Sequence, residues 1–239
     1  MAIFVMIEGM DLAGKGLILD SIKDFFKERG NAVFDAREFE SRNSRIPLKD
    51  DFITYDVIVS AEPTFAMVGK AIRDEIVRRN SRDYGALSTA MAFSLDREML
   101  YNCMVIPALQ AGKMIIQERG LPSSLVYQPV QGDGMDMQDI LKLPGNKLAL
   151  KNPPDILIIL VAEPDVVVGR IGVRKKQDKA IFENLDFQAM IKKRYQSLWI
   201  KDLFEKAGTK VFYIDTTSIR PEETAVRALE ILKQNLEKK

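Results

Sequence analysis

The chain has 239 residues, 35 Lys and Arg against 34 Asp and Glu, a formal charge of +1 and 46% hydrophobic residues. That balance excludes a disordered polymer, which is poor in apolar residues, and a non-specific nucleic-acid binder, which needs a net basic footprint. Histidine is absent and Cys103 is the single cysteine, so imidazole-based hydrolysis, histidine-bound zinc and an intrachain disulfide are excluded.

Ile3 to Ile7 is apolar on both parities and rich in β-formers, the pattern of a strand buried on both faces. This run stops at Glu8-Gly9, and Ile156 to Ala162 is also too short for a bilayer, so a cytoplasmic protein without a membrane segment is expected. A glycine-bearing turn leads into a predicted helix, Leu17–Arg29, ended by Gly30. Asn31 to Phe34 reads as a short strand. Residues 35–54 are polar, charged and interrupted by Pro47, an excursion of unassigned structure. Asp56 to Ser60 is the next strand, ending at Ala61-Glu62-Pro63. Helices are predicted over Val68–Arg79 and Ser88–Leu109, with Pro107 kinking the last turn of the second. Lys113 to Gln117 is a strand ending at Glu118-Arg119, Pro129 to Gly134 a loop, and Met135–Leu143 a helix. Asp155 to Val161 is a strand, and a helix runs from Asp165 into the basic segment Arg170 to Lys179. Phe187–Ala207 reads as one long helix, Val211–Ile214 as the last strand and Pro221–Leu236 as the last helix. The alternation predicts an α/β fold: a parallel β-sheet flanked by helices on both faces, three layers, in a single domain over residues 1–239.

Between the first strand and the first helix, Gly9-Met10-Asp11-Leu12-Ala13-Gly14-Lys15-Gly16 matches the phosphate-loop pattern Gly-x-x-x-x-Gly-Lys. Successive backbone N–H groups from Gly9 to Leu17 would form an anion nest at the positive end of the helix. Lys15 can reach terminal phosphates as a point charge, so a phosphate-bearing ligand is expected. Gly16 stands where Ser or Thr is expected; that hydroxyl ordinarily ligates Mg²⁺, so the change bears on catalysis more than on binding. Without its context the segment would read as a plain strand-to-helix turn.

Phe4-Val5-Met6-Ile7-Glu8-Gly9-Met10-Asp11, then Glu62-Pro63, then Ala90 to Arg97, then Glu118-Arg119 with Ser123 to Gln128 occur in this order. As an ordered set along nearly the whole chain they resemble the thymidylate kinase family. The resemblance implies transfer of the ATP γ-phosphoryl group to a pyrimidine deoxynucleoside monophosphate, dTMP first of all, with Mg²⁺, in a homodimer.

It also implies roles. Phe93 would stack on the pyrimidine, and Arg97, on the same helix face, would donate to a base oxygen. Arg119 would bind the acceptor phosphate, a task that suits a planar multi-donor group. Ser124 would face the base edge, and Tyr127 would lie under the sugar and disfavour a 2′-hydroxyl. Gln128 receives no separate role. Asp11, Glu62 and Glu118 would lie near the metal or the acceptor. Arg170 and Arg174 match the spacing of the family's mobile lid, here near 170–183, followed by Asp178 and Glu183. Leu12 and Ala13 carry no charge, so Arg174 would supply the transition-state cation, with Arg170 on the ATP phosphates. Residues 35–54 would be an extra segment.

Taken alone, Phe93 and Tyr127 read as packing residues, Arg97 and Arg174 as solvated helix charges and Arg119 as a surface ion pair. Three departures stand against the family pattern: Gly16, Ala61 in place of the Arg of Arg-Glu-Pro, and Glu118 in place of Asp. They keep open a catalytically weak or inactive nucleotide-binding relative.

Overall fold

The computed structural model describes residues 2–78, 82, 84–131, 135–173 (side chains to 170) and 185–236. Six strands form one parallel sheet in the order β2-β3-β4-β1-β5-β6: β1 Ile3–Gly9, β2 Val33–Asp35, β3 Val57–Ala61, β4 Met114–Glu118, β5 Ile156–Val161 and β6 Lys210–Asp215. β1, β3 and β5 are buried along their whole length, which is why they read as continuous apolar runs rather than alternating ones. The helix Lys15–Glu28 buries Ile18, Leu19, Ile22 and Phe26, a stripe at helical spacing laid on the sheet. Among the described residues no helix is long and apolar enough to cross a membrane.

Parallel pairing brings several loops to one edge. Ile7 of β1 and Ala61 of β3 both lie opposite Glu118 of β4, and Gly9 lies opposite Leu160 of β5. The segments after β1, β3 and β4 therefore leave the sheet together at its carboxyl edge, where α/β sheets bind ligands.

Three elements differ from the sequence reading. The unassigned stretch after β2 holds the helices Ala36–Asn43 and Lys49–Phe52; the first is capped by Asp35, whose carboxylate accepts from the Arg37 N–H. That helix buries only Ala36 and Glu40, so it has no apolar stripe to read. The helix Ala86–Leu100 continues through a π-turn, Tyr101–Val105, into Ile106–Gln110. Pro107 lacks an N–H for the carbonyl four residues back, and the widened turn absorbs the defect. The single helix expected over Phe187–Ala207 is two, Leu185–Tyr195 and Leu198–Lys206, because Ser197 turns to an extended conformation between them.

A further helix, Pro144–Lys151, packs on Ala86–Leu100 so closely that a Cβ on Gly145 would stand 1.9 Å from the Ser94 carbonyl oxygen. Only glycine permits that approach. It delivers the next residue, Asn146, to Arg97.

Candidate active site

The phosphate loop is set by backbone geometry. Gly9 has φ 130°, and a Cβ there would stand 2.1 Å from the Leu160 carbonyl oxygen, so glycine is required where the loop crosses β5. The Met10 N–H donates to that same oxygen at 3.0 Å. Gly14, at φ 103°, opens the helix as its N-cap, and Leu12 holds a left-handed φ of 54°. Lys15 folds back across the loop, its ammonium donating to the carbonyls of Gly9 at 3.1 Å and Met10 at 2.6 Å. Burial, and then the nearby Arg119 guanidinium, lower its pKa to about 8. Arg170 reaches the loop from the helix Pro164–Val173, donating to the Leu12 carbonyl at 3.3 Å and the Thr216 carbonyl at 2.6 Å.

Arg119 follows β4 in a left-handed conformation, φ 64°. Such a φ is uncommon outside glycine, and both its backbone polar groups are held: its N–H donates to Ile7 O at 2.9 Å, and its carbonyl accepts from the Gln117 amide at 2.9 Å. Its guanidinium pairs with Asp11, donates to Ser123 Oγ at 3.0 Å and lies 5.5 Å from the Tyr127 ring centre. The Tyr127 hydroxyl donates to the other Asp11 oxygen at 3.2 Å. Behind them Glu8 is fully buried and accepts from Gly120 N at 2.7 Å, Ser123 Oγ at 2.8 Å and the Tyr195 hydroxyl at 2.9 Å. Ser123, fixed by Glu8, in turn fixes Arg119.

Arg97 is 1% exposed and forms a third group. It pairs with Glu62 Oε2 at 2.7 Å, donates to Ser124 Oγ at 3.0 Å and bonds the Asn146 carboxamide oxygen. The other Glu62 oxygen accepts from Gln117 at 3.1 Å. Burial raises the Glu62 pKa to about 7 although Arg97 opposes the shift. The Arg97 Nε, the Tyr101 hydroxyl and both amide atoms of Gln128 are buried without a partner. Unpaired buried polar atoms are costly, and those of Arg97 and Gln128 belong to segments that carry the expected site residues. Phe93, one turn before Arg97, is half-buried and, among the described residues, is not one of those packed on the core.

The expected residues thus fall into two joined clusters. Lys15, Asp11, Arg119, Tyr127 and Arg170 gather at the loop Gly9 to Leu17; Arg97, Ser124 and Glu62 form the second group, with Gln117 bridging Glu62 to the Arg119 backbone and Phe93 one turn before Arg97 on the same helix. Glu62, expected near the metal or acceptor, is the counter-ion of Arg97, and both its oxygens are engaged. Arg174 lies outside the described residues, as do Asp178 and Glu183.

Several contributors are not evident from spacing. Glu8 lies in the quoted motif yet reads as the end of a strand, and Tyr195 reads as an ordinary helix residue. Asn146 and Gln117 carry no pattern of their own. Arg73 donates to the Pro63 carbonyl at 2.8 Å and stacks 3.8 Å from the Phe65 ring centre, while the Glu118 and Asp96 carboxylates oppose the lowering of its pKa by burial. Its one sequence signal is its place on the helix after Glu62-Pro63.

Chemically, the site joins an anion nest with a buried lysine to a second set of guanidinium groups. That suits two phosphate-bearing ligands placed end to end, with the transferring charge between Lys15 and Arg119. Comparison with known proteins agrees. A family model described as thymidylate kinase matches residues 47–224. The thymidylate kinase of Caldicellulosiruptor saccharolyticus is 26% identical over 203 residues, 85% of this chain and 84% of that protein. The probable thymidylate kinase of Thermococcus gammatolerans is 28% identical over 207 residues, 84% of this chain and 83% of that protein. The crystal structure of thymidylate kinase from Ehrlichia chaffeensis shares the fold, with a TM-score of 0.63 at 16% identity over 97% of this chain and 98% of that one.

Proposed function

The chain belongs to the thymidylate kinase family, and from that premise we propose that its two clusters hold the donor and the acceptor of one phosphoryl transfer. The protein is a nucleoside-monophosphate kinase that transfers the γ-phosphoryl group of ATP to dTMP, giving ADP and dTDP. A phosphate oxygen of the acceptor attacks the γ-phosphorus, and the bond from that phosphorus to the β–γ bridging oxygen breaks. Such a reaction asks for alignment and charge stabilisation rather than a strong base.

The observation that carries the reading is the Arg119–Asp11 pair, which ties the acceptor-side guanidinium to the phosphate loop. In this reading Gly9 to Leu17 and Lys15 hold the ATP phosphates, with Arg170 beside them. Arg119 holds the acceptor phosphate, and Tyr127 lies under the sugar. Phe93, Arg97 and Ser124 receive the pyrimidine, and the unpaired Gln128 amide offers one donor and one acceptor to its edge. Arg174 supplies the cation that the transition state needs. Mg²⁺, when bound, neutralises charge on the β- and γ-phosphate oxygens. The oxygen donors beside the loop suit it, and with no cluster of three metal-ligating side chains among the described residues, phosphates and water would complete its shell.

The working unit in this reading is a cytoplasmic homodimer of single-domain subunits. Leu87, Met91 and Leu95 support the dimer: they repeat every four residues along one helix and are 56%, 55% and 49% exposed. The test is ADP release with Mg-ATP against dTMP, dUMP, UMP, dCMP and dGMP. Turnover led by dTMP, with UMP rejected, supports the assignment; nucleotide binding with no turnover on any acceptor overturns it.

A further inference from the structure

We propose that the excursion between β2 and β3 belongs to the acceptor side of the site, where Glu40 is a positioning residue: its carboxylate holds the turn Pro63–Phe65 in the form that seats Arg73 toward Glu118 and Arg119. The inference rests on the kinase reading and gives the helix Ala36–Asn43 a function within it.

The first observation is that Glu40 is costly where it stands. The helix buries two residues, Ala36 and Glu40, and Glu40 is 1% exposed. An apolar side chain would dock that helix without desolvating a charge. Burial raises the Glu40 pKa to about 7; Asp96 and Asp35 add to the rise, and the Phe65 N–H and the Arg73 guanidinium oppose it. One carboxylate oxygen accepts from the Phe65 N–H at 2.8 Å, and the other is buried with no hydrogen-bond partner among the described residues. What Glu40 offers that an apolar residue does not is this bond and its charge.

The second observation is what the bond holds. The N–H and hydroxyl of Thr64 donate to Asp96 at 2.8 Å and 2.6 Å. Successive N–H groups of the turn are thus held by carboxylates from two elements, the excursion and the helix that carries Arg97. The carbonyls of Pro63 and Thr64 accept from Arg73 Nε at 2.8 Å and 3.2 Å, and the Arg73 guanidinium carbon stands 3.8 Å from the Phe65 ring centre. A Cβ on Gly69 would stand 2.5 Å from the Thr64 carbonyl oxygen, so the helix leading to Arg73 lies directly against the turn. Pro63, Thr64 and Phe65 together form the seat of Arg73.

The third observation is where the seat faces. Burial lowers the Arg73 pKa; among the charges, Glu118 opposes this most, then Asp96, while Arg119 adds to it. Arg73 therefore shares the charge field of Glu118 and Arg119. Two guanidinium groups in one field repel each other, and a dianionic phosphate placed with them turns that repulsion into attraction. A displaced turn moves Arg73 and leaves the phosphate loop and Lys15 where they are.

The test is steady-state kinetics with ATP and dTMP. Glu40→Met fills the space without an acceptor and should raise the dTMP KM about tenfold. The ATP KM should stay within about twofold. Glu40→Gln, whose amide oxygen still accepts from Phe65, should restore most of the dTMP KM. In an Arg73→Ala background, Glu40→Met should add little, because both act through one guanidinium. Glu40→Asp, one methylene shorter, withdraws the carboxylate from the Phe65 N–H and carries the same expectations if Glu40→Met does not fold. A wild-type dTMP KM in these variants, an equal rise in both KM values, or an undiminished effect in the Arg73→Ala background overturns the assignment and leaves the kinase reading standing. Absence of dTMP turnover by the wild-type protein overturns both.

Discussion

Ile7 and Glu118 are register partners on adjacent parallel strands, so the chain leaves β1 and β4 side by side. Four residues past Ile7 comes Asp11, one residue past Glu118 comes Arg119, and the two side chains pair. The phosphate loop and the arginine that ends β4, 108 positions apart, are thereby joined by a strand register and one ion pair. Arg119 reaches Asp11 from a left-handed backbone conformation secured by Ile7 and Gln117. Such strain persists where surrounding structure over-determines it, commonly at functional sites.

Phe93→Ala separates the two nucleotides. Because Phe93 is not packed on the core, its removal should shift the melting temperature by no more than about 2 °C. Loss of stacking is worth about 1–3 kcal/mol, so the acceptor KM should rise roughly 5- to 150-fold while the ATP Kd holds. Steady-state kinetics and ATP titration check both; a change confined to ATP would reverse the two binding sites.

Arg97→Ala is a different experiment, because Arg97 is the buried partner of Glu62. Removing one member of a buried pair costs about 3–5 kcal/mol, since the other is left uncompensated. Glu62 already has its pKa raised to about 7, above the unfolded value, so its protonated form stabilises the fold fully below pH 4.5 and that stability is lost as pH rises through 7. Without Arg97 the pKa rises further. Urea unfolding should therefore show a larger loss for Arg97→Ala at pH 8 than at pH 6. Arg97→Ala with Glu62→Gln should regain more than half of the pH 8 loss; a double variant no more stable than the single one would show that the pair is not the source.

Lys15 predicts a proton linkage. Its pKa is lowered to about 8 by burial and Arg119, so it is largely neutral at pH 8.5 and charged at pH 7. Bound phosphates favour the charged form, so ATP binding at pH 8.5 should take up roughly three quarters of a proton. The ATP Kd should rise by up to about tenfold per pH unit above 8. Calorimetry in two buffers of different ionisation enthalpy measures the uptake; none at pH 8.5 would place the Lys15 ammonium away from the phosphates.

Gly145→Ala tests the helix crossing that delivers Asn146. The new Cβ would meet the Ser94 carbonyl oxygen at 1.9 Å, so the two helices must move apart. Stability should fall by about 1–3 kcal/mol, and the acceptor KM should rise with it as Asn146 leaves Arg97. Unchanged acceptor affinity at reduced stability would show that Asn146 has no part in positioning Arg97.

The parallel sheet was legible because β1, β3 and β5 are apolar on both faces, and the phosphate loop because its glycines are demanded by position: Gly9 against Leu160, Gly14 at the helix cap. Arg119 was legible as a residue at a strand's carboxyl end. What the sequence could not display is what each charge faces. Glu62 carries no mark that its partner is Arg97 rather than a metal, because that pairing depends on the helix Pro144–Lys151, Gln117 and the turn after β3 meeting in space. Helix Ala36–Asn43 was illegible for a simpler reason: it buries Glu40, whose carboxylate accepts from the Phe65 N–H at 2.8 Å, instead of an apolar face.

The central claim is phosphoryl transfer from ATP to dTMP at the cleft between the phosphate loop and Arg119. The most direct measurement is a single-turnover reaction with γ-labelled ATP, excess enzyme, Mg²⁺ and dTMP, resolved chromatographically. The account predicts label appearing in dTDP at the rate it leaves ATP, with Arg119→Ala abolishing most of the transfer while ATP still binds. Label appearing only in inorganic phosphate, or transfer that survives Arg119→Ala unchanged, would contradict it.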